Sequence, residues 1–202
     1  MLVGQSYTIT ASLATRYVFP FPDGHPFIHQ YLSCCRSLLF PSVRADASVW
    51  ECVATLIKDK NGALYGTTYV GGHWDVGVVF MLSPAGGKWT ETVLHTFPFQ
   101  IGSKDGYEPI AGLTWGPSGS LYGTTTDGGD PGSGIVFELK QSAGVWTETI
   151  LHRFRGICAV ACGKDDGGYL QGGITLDENG ALYGMTAGGG KYNYGTVWKI
   201  TP

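Results

Sequence analysis

The sequence has no cluster of basic residues. Its 13 Lys and Arg residues are outnumbered by 16 Asp and Glu residues, and the net charge at pH 7 is −3. Proteins that follow a nucleic-acid backbone concentrate Lys and Arg on one surface. We therefore expect no nucleic-acid partner.

Long apolar runs are missing as well. No stretch approaches the roughly 20 apolar residues that a helix needs to cross a bilayer, so we expect no membrane span. The amino-terminal segment MLVGQSYTITASLATRYVF has neither a basic start nor an unbroken apolar run. It therefore does not match a secretory signal peptide, and the residue pattern alone assigns no compartment.

The cysteines are few, odd in number and spaced in no metal-binding pattern. They are Cys34, Cys35, Cys52, Cys158 and Cys162. Cys158 and Cys162 lie in one loop and would form a disulfide in an exported protein; two buried thiols are the alternative. We expect no metal and no cofactor.

The sequence is rich in glycine and in repeats. Its 32 glycines and 13% aromatic residues suit many short strands joined by tight turns. LYGTT begins at Leu64 and Leu121, and LYGMT begins at Leu182, which gives steps of 57 and 61 residues. GVVF, GIVF and GTVW follow with the same two steps. The chain therefore contains three copies of one unit.

Each unit divides into four extended segments. In the middle copy they are Ala111 to Trp115, SLYGTT, GIVFELK and VWTETILHRF. Phe137 and Leu139 share a face of the third segment while Glu138 points away, which is the alternation of a β-strand. Antiparallel strands that recur as a cassette are typical of propeller blades. We predict an all-β, β-propeller-like fold of about three four-stranded blades, each of roughly 57 residues.

The third copy ends after its third strand. ATRYVFPF, which begins at Ala14, resembles TVLHTFPF, which begins at Thr92. We therefore predict that residues 14–21 pair with the strand at 195–200 and complete the last blade. Because propellers usually have about four to eight blades, the alternatives are an incomplete ring and a homodimer that completes one ring.

The repeats divide the chain into three parts. Residues 1–21 are the candidate closing strand, residues 22–50 fit no repeat, and residues 51–202 form the propeller-like domain. Three prolines and the lack of clean alternation in 22–50 favour a poorly ordered stretch. An insertion and a degraded blade are the alternatives.

The longer loops are expected at one end of the blades. Antiparallel connectivity places tight turns such as Asn61-Gly62 at the other end. Ligand sites concentrate on loops that a rigid scaffold holds. The candidate ligand-binding residues in the loops are Trp74, Asp75, Tyr107, Tyr192 and Tyr194. The aromatic side chains can stack on a glycan or pack on a protein, and folding back over the blade edge is the alternative.

His95 and His152 occupy equivalent positions in two units. On a regular strand His95 shares a face with apolar neighbours such as Val93 and Phe97, so we expect packed, hydrogen-bonded histidines and not catalysts. Two loop carboxylates about 5–10 Å apart could hydrolyse a glycosidic bond, but Asp-Gly pairs are ordinary turn formers. The loop acids are Asp75, Asp105, Asp127, Asp130, Asp165 and Asp166.

The repeated cassette resembles a known family. AGLTWGPSGSLYGTTTDGGDPGSGIVFELK followed by WTETILHRF is similar to the GloVer tandem-repeat proteins of bacteria, also called choice-of-anchor tandem-repeat proteins. The likeness covers residues 51–202. It implies propeller-like repeats and an extracellular or cell-surface location, and it implies no reaction.

We predict a non-enzymatic repeat scaffold that binds a protein or a glycan through its long-loop end. The alternatives are a carbohydrate-active hydrolase or lyase that uses loop carboxylates, and a fragment of a larger propeller with no independent function. No nucleophile elbow or other catalytic signature occurs. A pocket in which two carboxylates converge beside an aromatic ring would favour the enzyme.

Overall fold

The computed structural model describes residues 54–86, 88–100, 102–130, 132–156 and 166–202. The predicted closing strand at 14–21, the segment at 22–50 and the pair Cys158 and Cys162 lie outside the described residues. No helix in the described ranges is long and apolar enough to cross a membrane.

The described chain is all-β, as predicted, and its strands pair antiparallel. In chain order the strands are β1 (Ile57–Lys58), β2 (Leu64–Thr68), β3 (Val78–Ala85), β4 (Lys88–Thr96), β5 (Gly106–Tyr107), β6 (Thr114–Trp115), β7 (Leu121–Thr124), β8 (Asp127–Gly128), β9 (Ile135–Ser142), β10 (Val145–Arg153), β11 (Thr175–Leu176), β12 (Leu182–Met185) and β13 (Val197–Ile200). A single 3-10 turn, Pro117–Gly119, joins β6 to β7.

The strands form one sheet per repeat. The first sheet has the order β1-β2-β3-β4, the second β6-β7-β9-β10, and the third β11-β12-β13. A small ribbon of β5 and β8 accompanies them. The four strands predicted for a unit are therefore present in the first two sheets, although the first strand of the second sheet is only Thr114–Trp115.

Neighbouring sheets pack on one another. Buried Val79 and Phe97 of the first repeat share a cluster with Phe137 and Leu139 of the second. A second cluster joins the second and third sheets. Where the first and second repeats meet, Thr67 Oγ1 donates a hydrogen bond of 3.0 Å to the carbonyl of Ala111. The repeats are stacked, and the described residues show no closed ring.

A glycine and an aromatic residue face each other in every sheet. The middle glycine of each LYG segment is the cross-strand partner of the aromatic residue of the third strand: Gly66 with Phe80, Gly123 with Phe137 and Gly184 with Trp198. A Cβ on Gly123 would lie 2.9 Å from Cε1 of Phe137, which is too close for two carbons. The glycine therefore makes room for the ring that fills the core.

The fourth strands contain a β-bulge. His95 pairs with Val79 and Val93 pairs with Phe80, which leaves Leu94 as an extra residue. The same shift occurs between Ile150 and His152. The expectation that His95 shares a face with Val93 is wrong, because the bulge turns the histidine to the opposite face, towards the next sheet.

Candidate functional site

The loops between the second and third strands have one common frame. Each loop is closed by a backbone hydrogen bond of 2.9–3.0 Å from its last glycine to its first: Gly77 to Gly71, Gly134 to Gly128 and Gly195 to Gly189. All six of these glycines have positive φ angles. The backbone of the loop is thus repeated even though its side chains differ.

Asp75 and Asn193 hold this frame together. The Oδ1 atom of each accepts a hydrogen bond of 2.9 Å from the amide of the first glycine of its loop. Both residues have φ angles near the left-handed region, at 57° and 59°, which Asp and Asn tolerate better than most residues. Asp75, a predicted ligand contact, therefore has a local role in shaping its loop.

Three predicted aromatic contacts are exposed on these loops. Trp74 is 51% exposed, Tyr192 is 69% exposed and Tyr194 is 91% exposed. Trp74 and Tyr192 lie at equivalent positions, immediately before Asp75 and Asn193. The repeated frame therefore presents a large ring at the same point of two different loops.

Tyr107 is placed differently. It lies in β5, is half-buried, and its ring meets that of Phe99 edge-on at 5.6 Å. Burial raises the pKa of its hydroxyl, and the charges of Asp127 and Glu108 raise it further. Of the four predicted aromatic contacts, Tyr107 is the one packed against the core cluster that the first and second sheets share.

The predicted histidines are packed and hydrogen-bonded, as expected. His95 Nε2 lies 3.2 Å from Asp105 Oδ2, and His152 Nε2 lies 2.8 Å from Asp166 Oδ2. Each imidazole also meets a phenylalanine ring edge-on at 4.7 Å. The aspartates come from the loop that follows each fourth strand, so the pair recurs with the repeat.

Glu148 joins the first of these pairs from the neighbouring sheet. Its Oε2 atom lies 3.7 Å from His95 Nε2, and its Oε1 atom is buried with no hydrogen-bond partner in the described chain. Glu148 belongs to β10, whereas His95 belongs to β4. Two carboxylates and an imidazole therefore meet where the first and second sheets touch.

The electrostatics of this cluster follow from its burial. Burial raises the pKa of Glu148 to about 8. The nearby His95 lowers this pKa only in part, and Asp105 raises it further. Burial lowers the pKa of His95, but the hydrogen bond to Asp105 and the negative charges of Glu148 and Asp105 outweigh it, so that the pKa is raised. Both shifts favour the protonated forms of Glu148 and His95.

The second pair has no such third member among the described residues. His152 and Asp166 line a cleft of about 410 Å³ beside β13, together with Trp198. The outer edge of β13 is paired with no strand in the described ranges, whereas β4 and β10 occupy that edge in the other two sheets. The cleft is lined by residues of both β10 and β13, so it lies between the second and third sheets.

Sequence reasoning missed Glu148 as a member of a cluster. The signal was present in the repeated segment WTET, which places Glu91 and Glu148 at equivalent positions on strands that are otherwise apolar or neutral there. The other loop acids do not join this cluster: Asp127 lies in β8, and Asp165 is outside the described residues.

Stacked antiparallel sheets with a repeated loop frame define an all-β tandem-repeat protein. The family model of the Gloeobacter/Verrucomicrobia repeat matches residues 40–202, and the chain belongs to this family. The resemblance predicted from the repeated cassette is thereby confirmed. No curated protein and no solved structure gave a significant match.

Proposed function

We propose that this chain is a non-enzymatic repeat scaffold that binds a protein or a glycan through the end of its sheets that carries the long loops. The observation that supports it is the exposure of Trp74, Tyr192 and Tyr194 on loops whose backbone is otherwise repeated. Trp and Tyr combine large contact area with few rotatable bonds, and they dominate binding hot spots.

The arrangement of carboxylates supports a scaffold over a hydrolase. Asp105 and Glu148 approach each other, but at a contact between two sheets where both are largely buried. The cleft beside β13 contains Asp166, and the other seven residues that line it include no second carboxylate. The cleft beside β13 therefore lacks the second carboxylate that a glycosidase needs.

The proposal is tested by screening the full chain against immobilised bacterial surface glycans and against peptides, and then by comparing variants with the best ligand found. W74A, Y192A and Y194A should each weaken binding at least tenfold, because each removes an exposed ring. V145A is the matched control, since Val145 is 64% exposed but follows the tight turn at the opposite end of the second sheet.

Retention of binding in the triple variant W74A/Y192A/Y194A would refute the long-loop site. Hydrolysis of a bound glycan by the purified chain would refute the non-enzymatic scaffold. The class of the best ligand decides between protein and glycan.

We further propose that the stacked sheets are blades of a propeller-like array and that residues 14–21 supply the fourth strand beside β13. The edge of β13, which no strand within the described ranges occupies, and the adjacent cleft support this arrangement. Deleting residues 1–21 should speed amide hydrogen exchange in β13 and leave exchange in β3, the internal control, unchanged. If β13 exchanges at the same rate with and without the segment, residues 14–21 are not its partner.

A further inference from the structure

We propose that His95, Asp105 and Glu148 form a binding site for a divalent transition-metal ion, for which Zn²⁺ is the best match. The site would join the first sheet to the second, because His95 and Asp105 belong to the first repeat and Glu148 belongs to the second. It is independent of the ligand proposed for the long loops.

The spacing of the three ligand atoms suits an ion. His95 Nε2 is 3.2 Å from Asp105 Oδ2 and 3.7 Å from Glu148 Oε2, and all three atoms lie within 4.8 Å of one another. Tetrahedral zinc with bonds of about 2.0–2.2 Å holds its ligand atoms about 3.3–3.6 Å apart. A shift of the Glu148 carboxylate towards the other two would complete one face of a tetrahedron.

The chemistry of the three side chains also suits zinc. One imidazole and two carboxylates are ordinary zinc ligands, and sites with three protein ligands keep a fourth position for water. Asp105 Oδ1 accepts a hydrogen bond from the amide of Gly106 at 2.6 Å, which orients the carboxylate and leaves Oδ2 directed at His95. Such outer contacts are typical of metal ligands.

The cluster also contains a carboxylate oxygen that has no hydrogen-bond partner among the described residues, as does Glu91 at the equivalent position of the first repeat. Glu148 Oε1 is buried and accepts no hydrogen bond within the described residues. A buried, ionised carboxylate without a partner is costly, and either a proton or a bound cation removes this cost. The side chains of His95, Asp105 and Glu148 are 19%, 16% and 11% exposed, so solvent still reaches the cluster.

The second repeat supplies an internal comparison. His152 and Asp166 reproduce the pairing of His95 and Asp105, but no described carboxylate stands where Glu148 would be. A two-ligand site binds zinc far more weakly than a three-ligand site. We therefore expect tight zinc binding at His95, Asp105 and Glu148 and much weaker zinc binding at His152 and Asp166.

The test uses the full chain, stripped with a chelator, and Zn²⁺ alone as the probe. Calorimetry gives the affinity and stoichiometry, and thermal unfolding gives the shift in Tm. Zn²⁺ should raise Tm by several degrees, and Mg²⁺ should not. E148Q and H95Q should each abolish the Tm shift and raise the Kd for Zn²⁺ at least tenfold. H152Q should leave the Tm shift and the Kd as they are in the parent chain.

The variants also separate this site from the five cysteines, which are zinc ligands in their own right. Zinc held by cysteines would survive in E148Q and H95Q, and an unchanged Kd and Tm shift in those variants would overturn the proposal. So would the absence of any zinc effect in the parent chain, or an equal loss in H152Q. Circular dichroism without metal verifies that E148Q and H95Q are folded, and E148Q preserves the shape of the side chain.

Discussion

Replacing Gly123 by alanine tests the packing rule that holds each sheet together. Gly123 lies opposite Phe137, whose side chain is fully buried. A Cβ at Gly123 would stand 2.9 Å and 3.0 Å from two ring carbons of Phe137, Cε1 and Cε2. The ring cannot retreat freely, because it is packed between the first and second sheets.

The expected cost follows from overpacking. Forcing an extra methyl group into a filled core typically costs about 1–3 kcal/mol. For a chain of this size, each kcal/mol lowers Tm by about 2–4 °C. We therefore expect G123A to lose about 2 kcal/mol of unfolding free energy and about 4–8 °C in Tm.

Urea and thermal unfolding, followed by circular dichroism, measure this loss against a matched glycine. A Cβ on Gly172 would meet no atom within 4 Å, so G172A should change stability by less than about 0.5 kcal/mol. In G123A/F137L the smaller side chain should relieve the clash, so that the double variant loses less than the sum of the two single losses. Equal stability of G123A and G172A would refute the reasoning.

Two further predictions concern buried polar groups. T67V should lower the unfolding free energy by about 1–2 kcal/mol, because the Ala111 carbonyl loses the hydroxyl that donates to it between the two sheets. T149V, at an exposed position of β10, is the control and should be nearly neutral. If chemical denaturation shows equal losses for both, the hydrogen bond does not contribute. Burial and the neighbouring charge of Glu108 raise the pKa of Asp127, so the folded state holds this proton more tightly than the unfolded state. The stabilisation of the folded state by protonated Asp127 is therefore complete below about pH 3.8 and is lost as pH rises through the folded pKa. The D127N variant should be more stable than the parent chain at pH 7 and equally stable near pH 3. Urea denaturation at both pH values measures this, and a pH-independent difference would contradict it.

Much of each sheet could be predicted from the sequence. Period-two alternation and turn residues, both of which act over a few residues, predict the positions of β7, β9 and β10. The exposed rings of Trp74 and Tyr192 were predicted for the same reason, because they stand in loops between clear strands.

The histidine cluster could not be predicted in the same way. Strict alternation puts His95 on the face of Val93, and the bulge at Leu94 reverses it. One extra residue in a strand changes the face of everything after it, and no residue type marks a bulge uniquely. Glu148 keeps the regular register and points back towards the first sheet, so the two side chains meet.

The sequence by itself determined that this chain is a repeat of antiparallel strands and that it belongs to its family, because local alternation and recurring turns need no knowledge of distant contacts. Only the tertiary structure decided that His95 and Asp105 of one repeat meet Glu148 of the next. That contact depends on how one sheet lies on another, and the stacking is set by burial of the whole face and not by any single segment.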